Sequence, residues 1–433
     1  MNHSETLEFL KRRGNEVQVM HLGLHRTFAM MQALGNPQDR FPSIHIAGTN
    51  GKGSVAAMAE SILRRGGLRT GLYTSPHLVR LEERIQINGR PLSPRGFAAL
   101  ATRIRKKEAA VLGKKILDRP LTYFEFCTCC AFLCFAEKKV DVSIIEVGLG
   151  GMLDATNIIL PQVSVITGIS YDHQNLLGNT LAAIAREKAG IIKPGVPVIS
   201  GCRSAPAKRV IRAAARTAAA PLVEIDRDCT IRITGEDRGR SIFDFKTPRR
   251  EFRRLRVSLP GEHQARNAAL AIAALDSLKL PRLRAADIRH GLYATRWPGR
   301  LEQFRAGRRT LLEGAHNREG AELLASFLAS QKESEVHIVF GALRDKDIRK
   351  MGAALFPSAR SIHLTPLANS RSADPSEVAA IHNAFRSKMS LHQSAKDALR
   401  AAWRQCSPRG LVVVTGSLYL LGEVLPLIRK NSR

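Results

Sequence analysis

The run Gly48-Thr-Asn-Gly-Lys-Gly-Ser54 follows the apolar segment SIHIAG (43–48) and opens a stretch of helical periodicity over about 54–65. Glycines placed after a strand let backbone N–H groups converge on anionic oxygens, and a helix N-terminus adds the positive end of its dipole. Asn50, Gly51, Lys52, Gly53 and Ser54 therefore read as a phosphate loop. Lys52 would meet the outer phosphates of a nucleotide, and the Ser54 hydroxyl is placed for Mg²⁺. The loop is a variant. Ile46 and Gly53 stand where the strict consensus has a glycine and a Ser or Thr.

Further groups sit at the ends of apolar segments. Glu146 closes 140–147. An acid at the carboxyl edge of a parallel sheet, beside a phosphate loop, is where a Mg²⁺ ligand belongs. Asp172 and His173 follow the strand QVSVITGIS (162–170) at the equivalent edge, and Lys188 lies on a short helix heading toward the same place. Later in the chain Glu313, His316 and Asn317 end another strand, where they could reach a nucleotide held by the first part.

Groups like these need strand ends lined up side by side, and the chain supplies them. Short apolar strands alternate with helical stretches almost throughout, the pattern of parallel α/β sheets. RTGLYTS (69–75), VDVSIIEVG (140–148) and QVSVITGIS (162–170) follow the first strand. Charged and apolar residues alternate over 226–259, which reads as an antiparallel β excursion with exposed basic faces, and a helix is predicted over 263–277. Pro298 and Gly299 make 289–304 the expected linker. The alternation then restarts with TLLEG, EVHIVFG, SIHLTP and LVVVTG. The expected fold class is α/β, with a P-loop-type, mostly parallel-sheet ATPase domain carrying a small β excursion over 1–298. A smaller C-terminal α/β domain, Rossmann-like, is expected over 299–433.

Composition narrows the function classes. Among 433 residues, 67 Lys+Arg against 38 Asp+Glu give a formal net charge of +29. A hydrophobic fraction of 44% and a charged fraction of 24% exclude an intrinsically disordered chain. No run approaches 18 apolar residues, so no membrane-spanning helix is expected, and the charged N-terminus lacks the apolar run of a secretory signal. A cytoplasmic protein without a membrane partner follows. The basic residues are dispersed over 11–13, 103–107 and 249–256, and along 203–216 at spacings that suit a solvated helix face. With 5% aromatic residues there are few stacking platforms, and no nucleic-acid partner is expected. Cys127, Cys129, Cys130 and Cys134 fall in an apolar segment of helical length, which predicts a buried helix in a reducing compartment and not a metal site.

In order along the chain stand GTNGKGS (48–54), TSPHL (74–78), LTYFE (121–125), EVGLGG (146–151), LDATN (153–157), DHQNLLG (172–178), REKAGI (186–191), WPGR (297–300), EGAHN (313–317) and GSLYLLGEV (416–424). This series resembles the folylpolyglutamate synthase/dihydrofolate synthase family of the Mur ligase superfamily, over about 23–424. The resemblance implies an ATP-dependent ligase forming a C–N bond. It would join L-glutamate to dihydropteroate or tetrahydrofolate through an acyl phosphate, as a monomer, with ATP, Mg²⁺ and room for a monovalent cation. It also implies roles for individual residues. Asn50, Gly51, Lys52, Gly53, Ser54, Asn267, Arg300 and Glu313 would contact ATP. Ser75, Glu146 and Ser54 would serve one Mg²⁺ and His173 a second. Lys188 would be carbamylated by CO₂, and Lys52, Lys188, His173 and His316 form the expected catalytic set. Thr122, Tyr123, Phe124, Glu125, Leu153, Asp154 and Ala155 fall on pterin contacts.

Three positions depart from the family's usual residues. Met152 stands for Arg, Glu313 for Asp and His25 for Glu, and these bear on substrate preference more than on ATP chemistry. Other readings fit less of the sequence. A peptidoglycan Mur ligase would place a domain before the loop, where 47 residues are too few. A basic nucleic-acid-binding P-loop ATPase leaves the strand-end Ser, Glu, His and Lys unexplained. A homologue that binds without ligating is at odds with Lys52, Glu146, His173 and Lys188 all being present.

Overall fold

Strand β1 (Ser43–Ala47) is buried at all five positions and lies inside an eight-stranded sheet. The computed structural model describes residues 1–14, 23–237, 239–278, 283–305, 307–331 and 335–432. β2 (Thr70–Tyr73), β5 (Val142–Glu146), β1, β6 (Val163–Ile166), β7 (Val198–Ser200) and β8 (Leu222–Glu224) run parallel in that spatial order. β3 (Ile85–Ile87) and β4 (Arg90–Pro91) add an antiparallel edge beside β2. Ile44, Ile46, Ile144, Val163 and Val165 are fully buried because helices cover both faces of the sheet.

On one face the helices Lys52–Arg65, His263–Asp276 and Ala285–Ala294 share a core with the antiparallel sheet β9 (Thr230–Asp237), β10 (Arg240–Lys246) and β11 (Glu251–Pro260). Phe243, Phe245, Phe252 and Leu255 point inward, while Arg253, Arg254 and Arg256 stay in solvent. On the other face lies the helix Tyr123–Glu137, buried at every position from Phe124 to Phe135. A helix apolar all round belongs in an interior, and its four cysteines pack there as small hydrophobes. No described helix is long and apolar enough to cross a membrane.

The expected linker over 289–304 needs correction. The helix Ala285–Ala294 runs into it, and β12 (Glu302–Arg305) ends it, so only 295–301 connects the two sheets. Pro298 and Gly299 break helical continuity at that one place. Beyond it, β13 (Arg309–Leu312), β14 (Val336–Phe340), β15 (Ser361–Leu364), β16 (Met389–Leu391) and β17 (Leu411–Thr415) complete a six-stranded sheet in the order β12-β13-β17-β14-β15-β16. All its pairings are parallel except β12 with β13. The α/β expectation is borne out, with a mostly parallel N-terminal sheet and a second, mixed C-terminal sheet. In both, the functional candidates follow the carboxyl ends of neighbouring strands.

Candidate active site

β1 ends on Ala47, and the residues from Gly48 turn the chain into the helix Lys52–Arg65. Gly51 takes φ +85°, and a Cβ there would lie 2.6 Å from Asn267 Oδ1, so this turn requires glycine. Gly53 has a packing reason as well. A Cβ at 53 would lie 2.8 Å from Trp297 Nε1, so the Ser or Thr of the strict consensus has no room. Lys52 folds back to donate to the carbonyls of Gly48 (3.1 Å) and Thr49 (3.2 Å).

The neighbours in the sheet bring the next groups. β2 leads to Ser75, whose N–H donates to Glu146 Oε2 (3.2 Å) at the end of β5. Burial pushes the Glu146 carboxyl up, with the Lys52 charge pulling against it. Lys188 reaches in from the helix Leu181–Ala189 and donates to the same Gly48 carbonyl at 2.9 Å. Burial, and then the Lys52 charge, lower the Lys188 ammonium to about 7. The motif residues after Glu146 set this helix in place. Asp154 accepts from the N–H groups of Gly148 and Leu149, and Asn157 donates to the carbonyls of Met152 and Gly190.

After β6, His173 sits at φ +49° with its N–H on Asp172 Oδ1 (2.9 Å). Such backbone is sparsely populated for a non-glycine residue. Burial lowers the His173 imidazole to about 4, so the ring is neutral near pH 7. The C-terminal sheet closes over this edge. Lys346 donates to Asp172 Oδ1 (2.6 Å) and lies 3.2 Å from His173 Nε2, while Asn317 Nδ2 reaches Asp172 Oδ2 (3.3 Å). Although burial pushes the Asp172 carboxyl up, His316 and the Lys346 ammonium hold it well below the usual range. His316 Nδ1 donates to the Gly314 carbonyl (2.8 Å), which turns Nε2 toward Asp172. Glu313 accepts from Leu301 N–H (2.8 Å) and lies 3.5 Å from Arg300 Nη1.

Between the two sheets lies a cavity of about 330 Å³. Its walls include every expected nucleotide and metal residue, from Asn50 through Ser54, Ser75, Glu146, His173, Lys188, Asn267, Arg300 and Glu313 to His316. Sequence reasoning missed Lys346, Glu319, Arg203, Arg371 and Ser417, which also line it. Only the position of Ser417 after the strand LVVVTG offered a signal. The other four stand in no motif.

Comparison with known proteins matches residues 96–275 to the Mur ligase middle domain and 299–418 to the Mur ligase glutamate ligase domain. A dihydrofolate synthase/folylpolyglutamate synthase of Bacillus subtilis is 37% identical over 413 residues, covering 93% of this chain and 94% of the relative. The chain belongs to the folylpolyglutamate synthase/dihydrofolate synthase family. Escherichia coli FolC, solved in complex with DHPP and ADP, superposes with a TM-score of 0.90 at 30% identity, covering 100% of both chains. The Yersinia pestis bifunctional enzyme, complexed with AMPPNP and Mn ion, gives 0.87 at 31% identity, covering 99% of this chain and 98% of that one.

Against this family the pterin candidates divide. Phe124 lines the cavity, whereas Thr122 and Glu125 form the capping box of the helix Tyr123–Glu137. Glu125 also pairs with the fully buried Arg26 at 2.8 Å. Tyr123 lies under the Arg84 guanidinium, 5.3 Å from the ring centroid. Leu153 is exposed, Ala155 is buried, and both Asp154 oxygens are committed to backbone and Thr156. Of the three unusual residues, Met152 is exposed beside Gly190, and His25 lies 3.6 Å from Asp118. Glu313 uses its extra length to bridge Arg300 and the Leu301 N–H.

Proposed function

We propose that this chain uses ATP to join L-glutamate to dihydropteroate, to a reduced folate such as tetrahydrofolate, or to both, through an acyl phosphate. The observation that carries this reading is the pair Lys52 and Lys188 converging on the Gly48 carbonyl beside Glu146, inside a family of glutamate ligases. A carboxylate is a poor electrophile, so its oxygen attacks the γ-phosphorus and ADP leaves. The neutral amine of glutamate then attacks the acyl carbon, and phosphate leaves the tetrahedral intermediate. Lys52 and Arg300 face the charge that spreads over the transferred phosphoryl group, and Asn267 abuts the turn that holds it. His316, with Nε2 turned into the cleft, would close over the nucleotide with its sheet.

The donors fit Mg²⁺. The hydroxyls of Ser54 and Ser75 and the buried Glu146 carboxylate are oxygen ligands, and the neutral His173 ring offers a nitrogen for a second ion. When bound, the metal neutralises negative charge on the phosphates. Phe124, with Thr122, Tyr123, Glu125 and the 153–155 loop, would shape the pterin end. A division into units at about residue 298 is part of this reading, and the change of sheet after 295–301 supports it. A monomer is the assembly proposed, and seven free cysteines support the cytoplasm.

The test offers purified protein ATP, Mg²⁺ and glutamate with dihydropteroate or tetrahydrofolate separately. Release of ADP that depends on both glutamate and one pterin substrate is expected, and Lys52→Ala should abolish it while circular dichroism is unchanged. Turnover at the normal rate in that variant would remove the phosphate loop from the mechanism.

A further inference from the structure

At the amino ends of β14 and β17, on the sheet edge opposite the cavity, three side chains of unlike chemistry converge. Glu335 directly precedes β14, His337 lies within it, and Cys406 caps the helix Ala395–Gln405 just before β17. None of them lines the cavity. One ligand-capable atom of each lies within 4.8 Å of the others. We propose that Cys406 Sγ, His337 Nε2 and a Glu335 carboxylate oxygen form a Zn²⁺ site, with water in the fourth position.

The donor set is the first argument. A thiolate and an imidazole with a carboxylate match the S, N and O ligands that tetrahedral zinc takes, and the two anions balance the ion's charge. Zinc–sulfur and zinc–nitrogen distances of about 2.3 and 2.0–2.1 Å set ligand atoms roughly 3.3–3.6 Å apart in a tetrahedron. To hold the ion, His337 Nε2 and Glu335 Oε1, 2.8 Å apart, would open by about half an ångström, and Cys406 Sγ, within 4.8 Å of a ligand atom on each residue, would close on it.

The orientation of the ligands is the second. His337 Nδ1 is hydrogen-bonded to Ser361 Oγ at 2.7 Å, and that hydroxyl also contacts His363 Nε2 at 2.9 Å. Holding one ring nitrogen from behind fixes the other toward the site, the usual arrangement behind a metal-ligating histidine. Glu335 is held the same way, with Oε2 accepting from Ser407 Oγ (2.6 Å) and Oε1 from Ser407 N–H (2.9 Å). The third argument is packing. A Cβ at Gly410 would lie 2.7 Å from Cys406 Sγ and 3.0 Å from Glu335 Cδ, so only glycine there leaves both ligands undisturbed. His337 and Cys406 are buried, while the Glu335 side chain, 18% exposed, gives the ion a way in.

Binding forms Zn–S, Zn–N and Zn–O bonds as the Cys406 thiol releases its proton to solvent. The test uses the full chain with Co²⁺ and Zn²⁺ as probes. Co²⁺ should give a thiolate-to-cobalt charge-transfer band that saturates at one equivalent, is bleached by Zn²⁺ and is absent in Cys406→Ser. The oxygen-rich cleft cannot produce that band. His337→Ala should weaken Zn²⁺ retention at least tenfold. If that variant does not fold, Glu335→Gln carries the same expectation. A folded wild type without the band, or Zn²⁺ held equally by Cys406→Ser, would overturn the proposal and leave the cluster as hydrogen-bonded capping.

Discussion

Lys52 and Lys188 place two ammonium groups on one carbonyl oxygen, at 3.1 and 2.9 Å, where like charges repel in a buried site. Lys188 answers with a proton affinity lowered to about 7, first by burial and then by Lys52. A lysine carbamate, formed by attack of the neutral amine on CO₂, would replace that repulsion by attraction. The sign of the pH dependence follows. The neutral fraction of Lys188 grows as pH rises through about 7 and shrinks below it, so glutamate-dependent ADP release should fall as pH drops from 8 to 6 and recover partly with added bicarbonate. Lys188→Met should fold normally and lose on the order of 10²–10³ in kcat. A carbamate signal from ¹³C-labelled bicarbonate, present in the wild type only, checks the assignment. Lys188 was readable from the sequence only through its motif. Lys346, the lysine bound to Asp172, was not, because GALRDKD carries no signature and the chain has 67 Lys and Arg to choose from.

At the level of elements, strand ends were the readable part. Ser75, the phosphate loop and Asp172 follow β2, β1 and β6, and Glu146 ends β5, four strands adjacent in the sheet. The apolar strand cores made that order accessible, since only parallel strands covered on both faces read as continuous hydrophobic runs. The short strands β7, β8 and β16 went unread because three residues carry little periodicity, and the ten-residue helix Ala285–Ala294 was masked by the Pro298-Gly299 break just beyond it. The helix Tyr123–Glu137 shows what a motif can hide. Thr122 and Glu125 were expected at the pterin, yet both also hold the helix N-terminus, and Glu125 anchors Arg26 on the helix His25–Ala33. Arg26 is fully buried, so removing it strands a carboxylate in the core. Arg26→Met should cost about 3–5 kcal/mol in urea unfolding. Thr122→Ala, which loses only a cap, should cost about 1 kcal/mol. Equal losses in the two variants would mean that the ion pair is not what holds these helices together.

For the whole molecule, the +29 charge is dispersed as its sequence pattern indicated. Arg209, Arg212 and Arg216 lie exposed along one helix, and Arg253, Arg254 and Arg256 on the outer face of the small sheet. The charge that matters lies at the seam between the sheets. Asn50, in the phosphate loop, exchanges hydrogen bonds with Asn317 at 3.3 and 2.9 Å. Its amide also donates to Glu319 Oε2 at 2.5 Å, and Ser170 Oγ donates to the same oxygen at 2.7 Å. A carboxylate is thus docked on the loop that must receive a triphosphate. Nucleotide binding has to displace it or tolerate its charge, so these contacts favour the ligand-free closure of the two sheets over the loaded one. Glu319→Gln keeps an acceptor for Asn50 and Ser170 but removes the charge. ATP should therefore bind roughly two- to fivefold more tightly to that variant, an effect of the size seen for exposed charge pairs. The gain should shrink as salt is raised, because screening weakens the repulsion in the wild type first. Isothermal titration at low and high ionic strength separates the cases. Weaker binding in Glu319→Gln would mean that the carboxylate helps to organise the loop for its substrate instead of competing with it.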